Sequence, residues 1–121
     1  ASGNDAAIAL AEAVAGGEAA FAKRMTARAK AIGLKNSRFR NATGFTRRGQ
    51  RMTARDVATL STYLIERYPL FYAYFALRSM SHAGKSFTNR NPVLGTITGA
   101  DGLKTGQTRA GGYGLASSST A

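Results

Sequence analysis

Cysteine is absent from the 121 residues, which excludes disulfides and cysteine-ligated metal sites. Long apolar runs are absent too. The longest, Leu70 to Leu77, is too short to cross a bilayer. Large apolar side chains are scarce, because 23 of the 53 residues counted as hydrophobic are alanine. Small domains bury a modest share of their surface, so this length of chain is expected to have little stability by itself. Histidine occurs once. His82 has no Asp, Glu or second His nearby, so it reads as a surface residue rather than a base or ligand. No initiator Met and no signal-peptide pattern opens the chain. Both ends read as cut rather than finished, and the length prior is one domain or part of one.

Acidic residues number six against seventeen Lys/Arg, a net charge of +11. The imbalance is local. Between Lys23 and Arg55 lie eleven Lys/Arg and no Asp or Glu. Such a run reads first as a solvated basic surface, although a local excess of this kind can bind phosphate polyanions.

The first half of the chain is patterned for helices. Ser2-Gly-Asn-Asp5 supplies polar residues ahead of Ala6 to Ala15, and Gly16-Gly17 follows, which predicts a short helix. Its alanine surface would let another helix approach closely. A second helix is expected over about 18–32, with Phe21, Met25 and Ile32 near one face and Gly33 behind. Residues 34–50 read as loop, with a turn at Asn41-Ala-Thr-Gly44. Asn41-Ala-Thr43 also fits a glycosylation acceptor, and the turn is the preferred reading because that motif is short. Thr53-Ala-Arg-Asp56 resembles a capping box with Asp in the Glu position, opening a helix to about Tyr68 that Pro69 stops.

Leu70 to Ala76 could be a helical turn or a buried strand. Its aromatics, Phe71, Tyr72, Tyr74 and Phe75, are expected in the core rather than as a base-stacking platform, because the run lacks charge. Arg78 to Thr88 predicts a hairpin around Ala83-Gly-Lys85. Leu103 to Thr105 and Tyr113 to Ser118 predict two strands joined by a Gly-rich turn. Helices first and strands after is an α+β order, mostly helical over about 1–77 and mostly strands over about 78–121.

Two short motifs could carry chemistry. Lys104-Thr105-Gly106 places a cation, a hydroxyl and a residue without a side chain in succession. A Gly in a strand lets a ligand approach the backbone, and the next N–H can meet a developing oxyanion. Alone, the tripeptide is usually a surface turn. It is not a phosphate loop, because Leu103 rather than Gly precedes the Lys. Ser2-Gly-Asn4 alone reads as a helix cap. A Ser-x-x-Lys, which would carry a nucleophile and its base, occurs nowhere in the chain.

Taken together, the two motifs resemble the active-site set of penicillin-binding proteins and class A β-lactamases. The Ser-Gly-Asn variant is similar to D-alanyl-D-alanine carboxypeptidases of the low-molecular-mass penicillin-binding class. So are Phe39-Arg-Asn-Ala-Thr-Gly-Phe45, Met52-Thr-Ala-Arg-Asp56, Asn89-Arg-Asn91 and Asp101-Gly-Leu-Lys-Thr-Gly-Gln-Thr108, in that order. The resemblance covers essentially the whole chain. It implies part of a transpeptidase-like catalytic domain, with helices followed by a hairpin and antiparallel strands. The implied enzyme removes the terminal D-alanine of peptidoglycan stem peptides through a serine acyl-enzyme and binds β-lactams, with no metal or organic cofactor.

The resemblance also implies roles for residues. Ser2 resembles the hydroxyl that relays a proton toward the departing D-alanine, and Asn4 an amide that positions the substrate backbone. Lys104 and Thr105 resemble the pair that holds the terminal carboxylate, with Arg90 a further cation near it. Gln107 follows Gly106 and offers the oxyanion N–H. Many relatives carry His there, so a side-chain role for that His does not transfer. The nucleophile would come from a Ser-x-x-Lys segment outside this chain, which by itself is expected to be inactive. The family works outside the cytoplasmic membrane, periplasmic and often membrane-associated. Two other readings are a basic nucleic-acid-binding module over Lys23 to Arg55 and a cell-wall peptide-binding pseudoenzyme. The first explains the charge but not the ordered motifs, so nucleic acid is not an expected partner.

Overall fold

The computed structural model describes residues 2–120. They gather into two compact units, one of Ser2–Leu60 with Thr108–Ala110 and one of Ser61–Gln107 with the chain from Gly111 on. Each is treated by itself.

In the first unit, α1 spans Asn4–Ala15 and α2 spans Glu18–Ala31. Gly16 ends α1 in the left-handed region at φ 73°, and its N–H donates to Glu12 O at 2.8 Å, as a glycine stop requires. Arg24 of α2 donates from Nη1 to Val14 O, which satisfies another terminal carbonyl of α1. The alanines do what their size permits. Ala11 is fully buried, and Ala22 and Ala29 nearly so, where α1 and α2 pack together. Among the described residues, Leu34 is the larger side chain that is fully buried.

The loop after α2 is organised by polar bonds rather than by apolar bulk. Thr26 Oγ1 accepts from Phe39 N at 3.0 Å. Gln50 Oε1 accepts from both Arg40 N and Asn41 N. Asn41 is buried, donates to Phe45 O at 2.8 Å and accepts from Gly44 N at 2.9 Å. Its amide is therefore committed to the turn, as the preferred reading of that segment requires.

α3 runs from Ala54 to Arg67. Its start departs from expectation. Thr53 Oγ1 accepts from Asp56 N at 3.1 Å, one half of a capping box. The Asp56 carboxylate serves the loop instead, accepting from Asn36 N at 2.8 Å and Ser37 Oγ at 2.7 Å. Asp56 is 3% exposed, and these bonds, Ser37 first, hold its carboxyl below the ordinary 3.8 against the opposing effect of burial.

The second unit holds the short α4, Pro69–Tyr72, and a 3-10 turn, Ala73–Ala76, so the ambiguous apolar run is helical. Its aromatics correct the expectation of a core. Phe71 and Tyr74 are each 67% exposed and Leu70 is 86% exposed. A single tight helical turn points consecutive side chains in all directions, so only some can face inward. Tyr72 and Phe75 do so and pack at a centroid distance of 6.3 Å.

Strands β1, Ser79–His82, and β2, Lys85–Thr88, pair antiparallel, Ser79 opposite Thr88 and His82 opposite Lys85. Ala83 and Gly84 both have positive φ, the requirement of a two-residue hairpin turn. His82 is exposed. Strands β3, Ala100–Thr108, and β4, Gly112–Ser119, are hydrogen-bonded neighbours, and both extend beyond the predicted cores. The order of elements is the α+β order expected, with helix up to Ala76 and strand from Ser79. Among the described residues no helix is long and apolar enough to cross a membrane.

Candidate active site

Strand β3 carries Lys104-Thr105-Gly106-Gln107, and its neighbours explain how it is held. Asn91 is 4% exposed and donates from Nδ2 to Gly102 O at 2.8 Å. Its own Oδ1 accepts from Val93 N, while Asn89 Oδ1 accepts from Asn91 N and Asn89 Nδ2 donates to Leu77 O. The irregular Asn89-Arg-Asn91 segment is thus tied at one end to the 3-10 turn's exit and at the other to β3. Losing the Asn91 amide would leave a buried carbonyl unpaired, at about 1–3 kcal/mol.

Arg90 sits between these two anchored asparagines, and its charge acts on Lys104. Both side chains are exposed. The Lys104 ammonium is nevertheless held below its ordinary 10.5, first by partial desolvation and then by the positive charge of Arg90. Lys104 Nζ donates to Thr105 O. A partly desolvated ammonium on which a second positive charge acts gains from receiving an anion.

The two strand glycines on either side of Lys104 have different reasons to be glycine. A Cβ on Gly102 would stand 2.7 Å from Ser118 Oγ and 3.3 Å from Tyr72 OH, so the fold requires its absence. A Cβ on Gly106 would meet nothing within 4 Å. Gly106 is exposed and its φ lies outside the left-handed region, so nothing in the fold demands glycine there. A glycine here leaves the strand backbone open to approach on that side. Thr105 is half-buried on the face opposite Lys104, and Gln107, two residues on, is exposed.

Sequence reasoning missed a polar cluster at the root of β3. Tyr72 OH donates to Asp101 Oδ1 at 2.6 Å and lies 2.5 Å from Ser118 Oγ. Thr120 Oγ1 donates to Asp101 Oδ2 at 2.5 Å. These bonds, Thr120 before Tyr72, hold the Asp101 carboxyl below its ordinary value, while burial and then Asp101 push the Tyr72 phenol up. No local signal could reveal them, because the partners lie 19 to 46 residues apart.

Ser2 and Asn4 belong to the first unit. The helix-cap reading of Ser2-Gly-Asn4 is corrected. Gly3 is the cap residue at φ −84°, no side chain caps the helix, and Asn4 is already its first residue. Asp5 Oδ1 instead accepts from Ala6 N. The Ser2 hydroxyl and the half-buried Asn4 amide are therefore not spent on capping α1.

The whole chain, residues 1–121, matches the family model for peptidase S11, D-alanyl-D-alanine carboxypeptidase. The chain belongs to the D-alanyl-D-alanine carboxypeptidase family. It is 39% identical over 118 residues to the D-alanyl-D-alanine carboxypeptidase DacD of Escherichia coli K12, covering 97% of this chain and 30% of the relative. Among solved structures it resembles penicillin binding protein 5 from Haemophilus influenzae, with a TM-score of 0.95 and 35% identity over 99% of this chain and 35% of that one. Penicillin-binding protein D2 from Listeria monocytogenes, solved in its ampicillin-bound form, matches with a TM-score of 0.88 and 32% identity over 99% of this chain and 50% of that one. The chain spans about 30% of the length of the curated relatives it matches. The partial transpeptidase-like fold implied by the motifs is the fold observed.

Proposed function

We propose that the chain supplies the proton-relay and carboxylate-binding parts of a serine D-alanyl-D-alanine carboxypeptidase, which trims the terminal D-alanine from peptidoglycan stem peptides and is acylated by penicillins. The observation that carries this reading is the match of the whole chain to the D-alanyl-D-alanine carboxypeptidase family, with Lys104, Thr105, Gly106 and Gln107 consecutive and accessible on strand β3. The substrate ends in a carboxylate, and a carboxylate leaving water needs paired cations and donors.

In the proposed reaction the hydroxyl of a serine outside this chain, activated by its lysine, attacks the penultimate D-alanine carbonyl. The carbonyl oxygen becomes an oxyanion facing the Gln107 N–H, a contact of the kind that contributes about 10²–10³ in rate. Ser2 passes a proton to the amine of the departing D-alanine, and the C–N bond breaks. Asn4 holds the substrate backbone. Lys104, Arg90 and Thr105 hold the terminal carboxylate until it leaves. Water then attacks the ester, giving the shortened peptide and the free serine. The same acylation by a penicillin stops at the ester. This acyl transfer needs no metal or organic cofactor, and its substrate places the enzyme outside the cytoplasmic membrane.

The test is Lys104→Ala in the full-length enzyme. Penicillin acylation is expected to fall by about tenfold or more, the effect of losing one charged transition-state contact, with circular dichroism and Tm near wild type. An acylation rate unchanged in a folded variant would remove Lys104 from the site.

A further inference from the structure

The segment between α2 and α3 carries five arginines, and its backbone sorts three of them onto one face. Arg38 and Arg51 form a directly opposed antiparallel pair, each N–H donating to the other's carbonyl at 2.9 Å. Opposed residues project to the same side of a strand pair, and so do residues two further along. The bridge is isolated, but the chain beside it keeps Arg40 near Gly49, two residues before Arg51. The Arg40 side chain lies across that glycine, with Nε and Nη2 3.4 Å from where a Cβ on Gly49 would stand. The intervening Phe39 is half-buried and bonded through its backbone to Thr26 on α2. Arg38, Arg40 and Arg51 are all exposed.

Like charges directly opposite each other destabilise a strand pair. No carboxylate within the stretch from Lys23 to Arg55 offsets them. The two acidic side chains bonded to this segment are committed elsewhere, Asp56 to Asn36 and Ser37 and Glu18 to the Ala42 N–H. None of this charge belongs to the acyl-transfer motifs.

We propose that Arg38, Arg40 and Arg51 form a binding site for a phosphate group. Guanidinium forks match oxyanions in bidentate fashion. Three forks on one face exceed what the two oxygens of a carboxylate can accept, whereas a phosphate presents oxygens in three directions. The phosphate is carried either by a small soluble anion or by a phospholipid headgroup.

The full-length protein is titrated with pyrophosphate by calorimetry and, separately, with phosphatidylglycerol-containing vesicles by co-sedimentation. Succinate and pure phosphatidylcholine vesicles are the comparisons. Binding is expected in at least one phosphate arm. Pyrophosphate alone identifies a soluble ligand; vesicles alone identify a headgroup. The R38Q/R40Q/R51Q variant is expected to bind about tenfold or more weakly, as for loss of charge-assisted bidentate contacts. The K23Q/K30Q/K35Q variant removes the same charge elsewhere and is expected to lose about threefold or less, the screened long-range share. Should the first variant not fold, Arg51→Gln keeps the backbone pair and is read the same way. No binding in either phosphate arm, succinate binding as tightly as pyrophosphate, or equal losses in the two triple variants overturns the proposal.

Discussion

Partial desolvation, and after it the positive charge of Arg90, act on the Lys104 ammonium. Its depressed pKa means that the folded protein binds this proton less tightly than the unfolded chain does. In the pH window between the folded value and the ordinary 10.5, the unfolded state holds more protons, so stability rises with pH there; below the window the charged Lys104 costs stability. Both heads are largely exposed, so solvent screening reduces the cost to the order of a few tenths of a kcal/mol. The larger consequence is for function. A deprotonated Lys104 cannot pair with a carboxylate, so acylation of the full-length enzyme by penicillin is expected to fall on the alkaline side before the ordinary lysine value is reached. Arg90→Gln removes the second cause of the shift. It is expected to move that alkaline limb to higher pH while weakening acylation several-fold at neutral pH, measured as the pH profile of the second-order rate. A limb that stays in place would mean that Arg90 does not act on Lys104.

At the scale of the element, β3 separates two uses of glycine. Gly102→Ala forces a Cβ against Ser118 and Tyr72, and overpacking of this kind costs about 1–3 kcal/mol. Its Tm is expected to drop by about 5 °C or more. Gly106→Ala meets open space and is expected to leave Tm near wild type while slowing acylation, because the new methyl stands where a ligand would pass. Thermal melts and penicillin acylation on the two variants, side by side, separate packing from approach. A Gly106→Ala enzyme that acylates at the wild-type rate would leave that glycine without a ligand-facing reason. α3 gives the matching case for a carboxylate. Asp56 has a lowered pKa, so its contribution to stability is fully present above 3.8 and is lost as pH falls through the folded value. Asp56→Asn puts an amide donor among groups that already donate. Its Tm is expected to lie several degrees below wild type at neutral pH, with the gap closing in acid below 3.8. A gap that persists unchanged into acid would show that charge is not what Asp56 supplies.

At the scale of the whole molecule, the proposed chemistry is divided between this chain and a nucleophile outside it. Residues 1–121 alone, incubated with a labelled penicillin and examined by denaturing mass spectrometry, are expected to carry no covalent adduct. A stoichiometric adduct would place a nucleophile among these residues and overturn the division. The interior supports the same view of how little this length of chain encloses. Among the described residues the buried apolar ones are three alanines, Leu34 and Leu103, while Leu70, Phe71, Tyr74 and Tyr113 are exposed.

The helices and hairpins were legible in the sequence because their signals are local. Gly16 after an alanine run, Pro69 after Arg67-Tyr68 and Ala83-Gly84 between polar strands each act within a few residues. The ordered motifs likewise fixed the family, since motif order is a property of the chain alone. What tertiary structure decided was every assignment that depends on a distant partner. The Asp56 carboxylate leaves its own helix end because Asn36 and Ser37 present two donors to it. Tyr72 is drawn from the aromatic run to Asp101 and Ser118, and its neighbours Phe71 and Tyr74 are left outside. Gly102 and Gly106 are indistinguishable in sequence and differ only in what surrounds them. Arg90 acts on Lys104, 14 residues away, across a segment that the buried Asn91 ties to β3, and no periodicity in the chain encodes that bond.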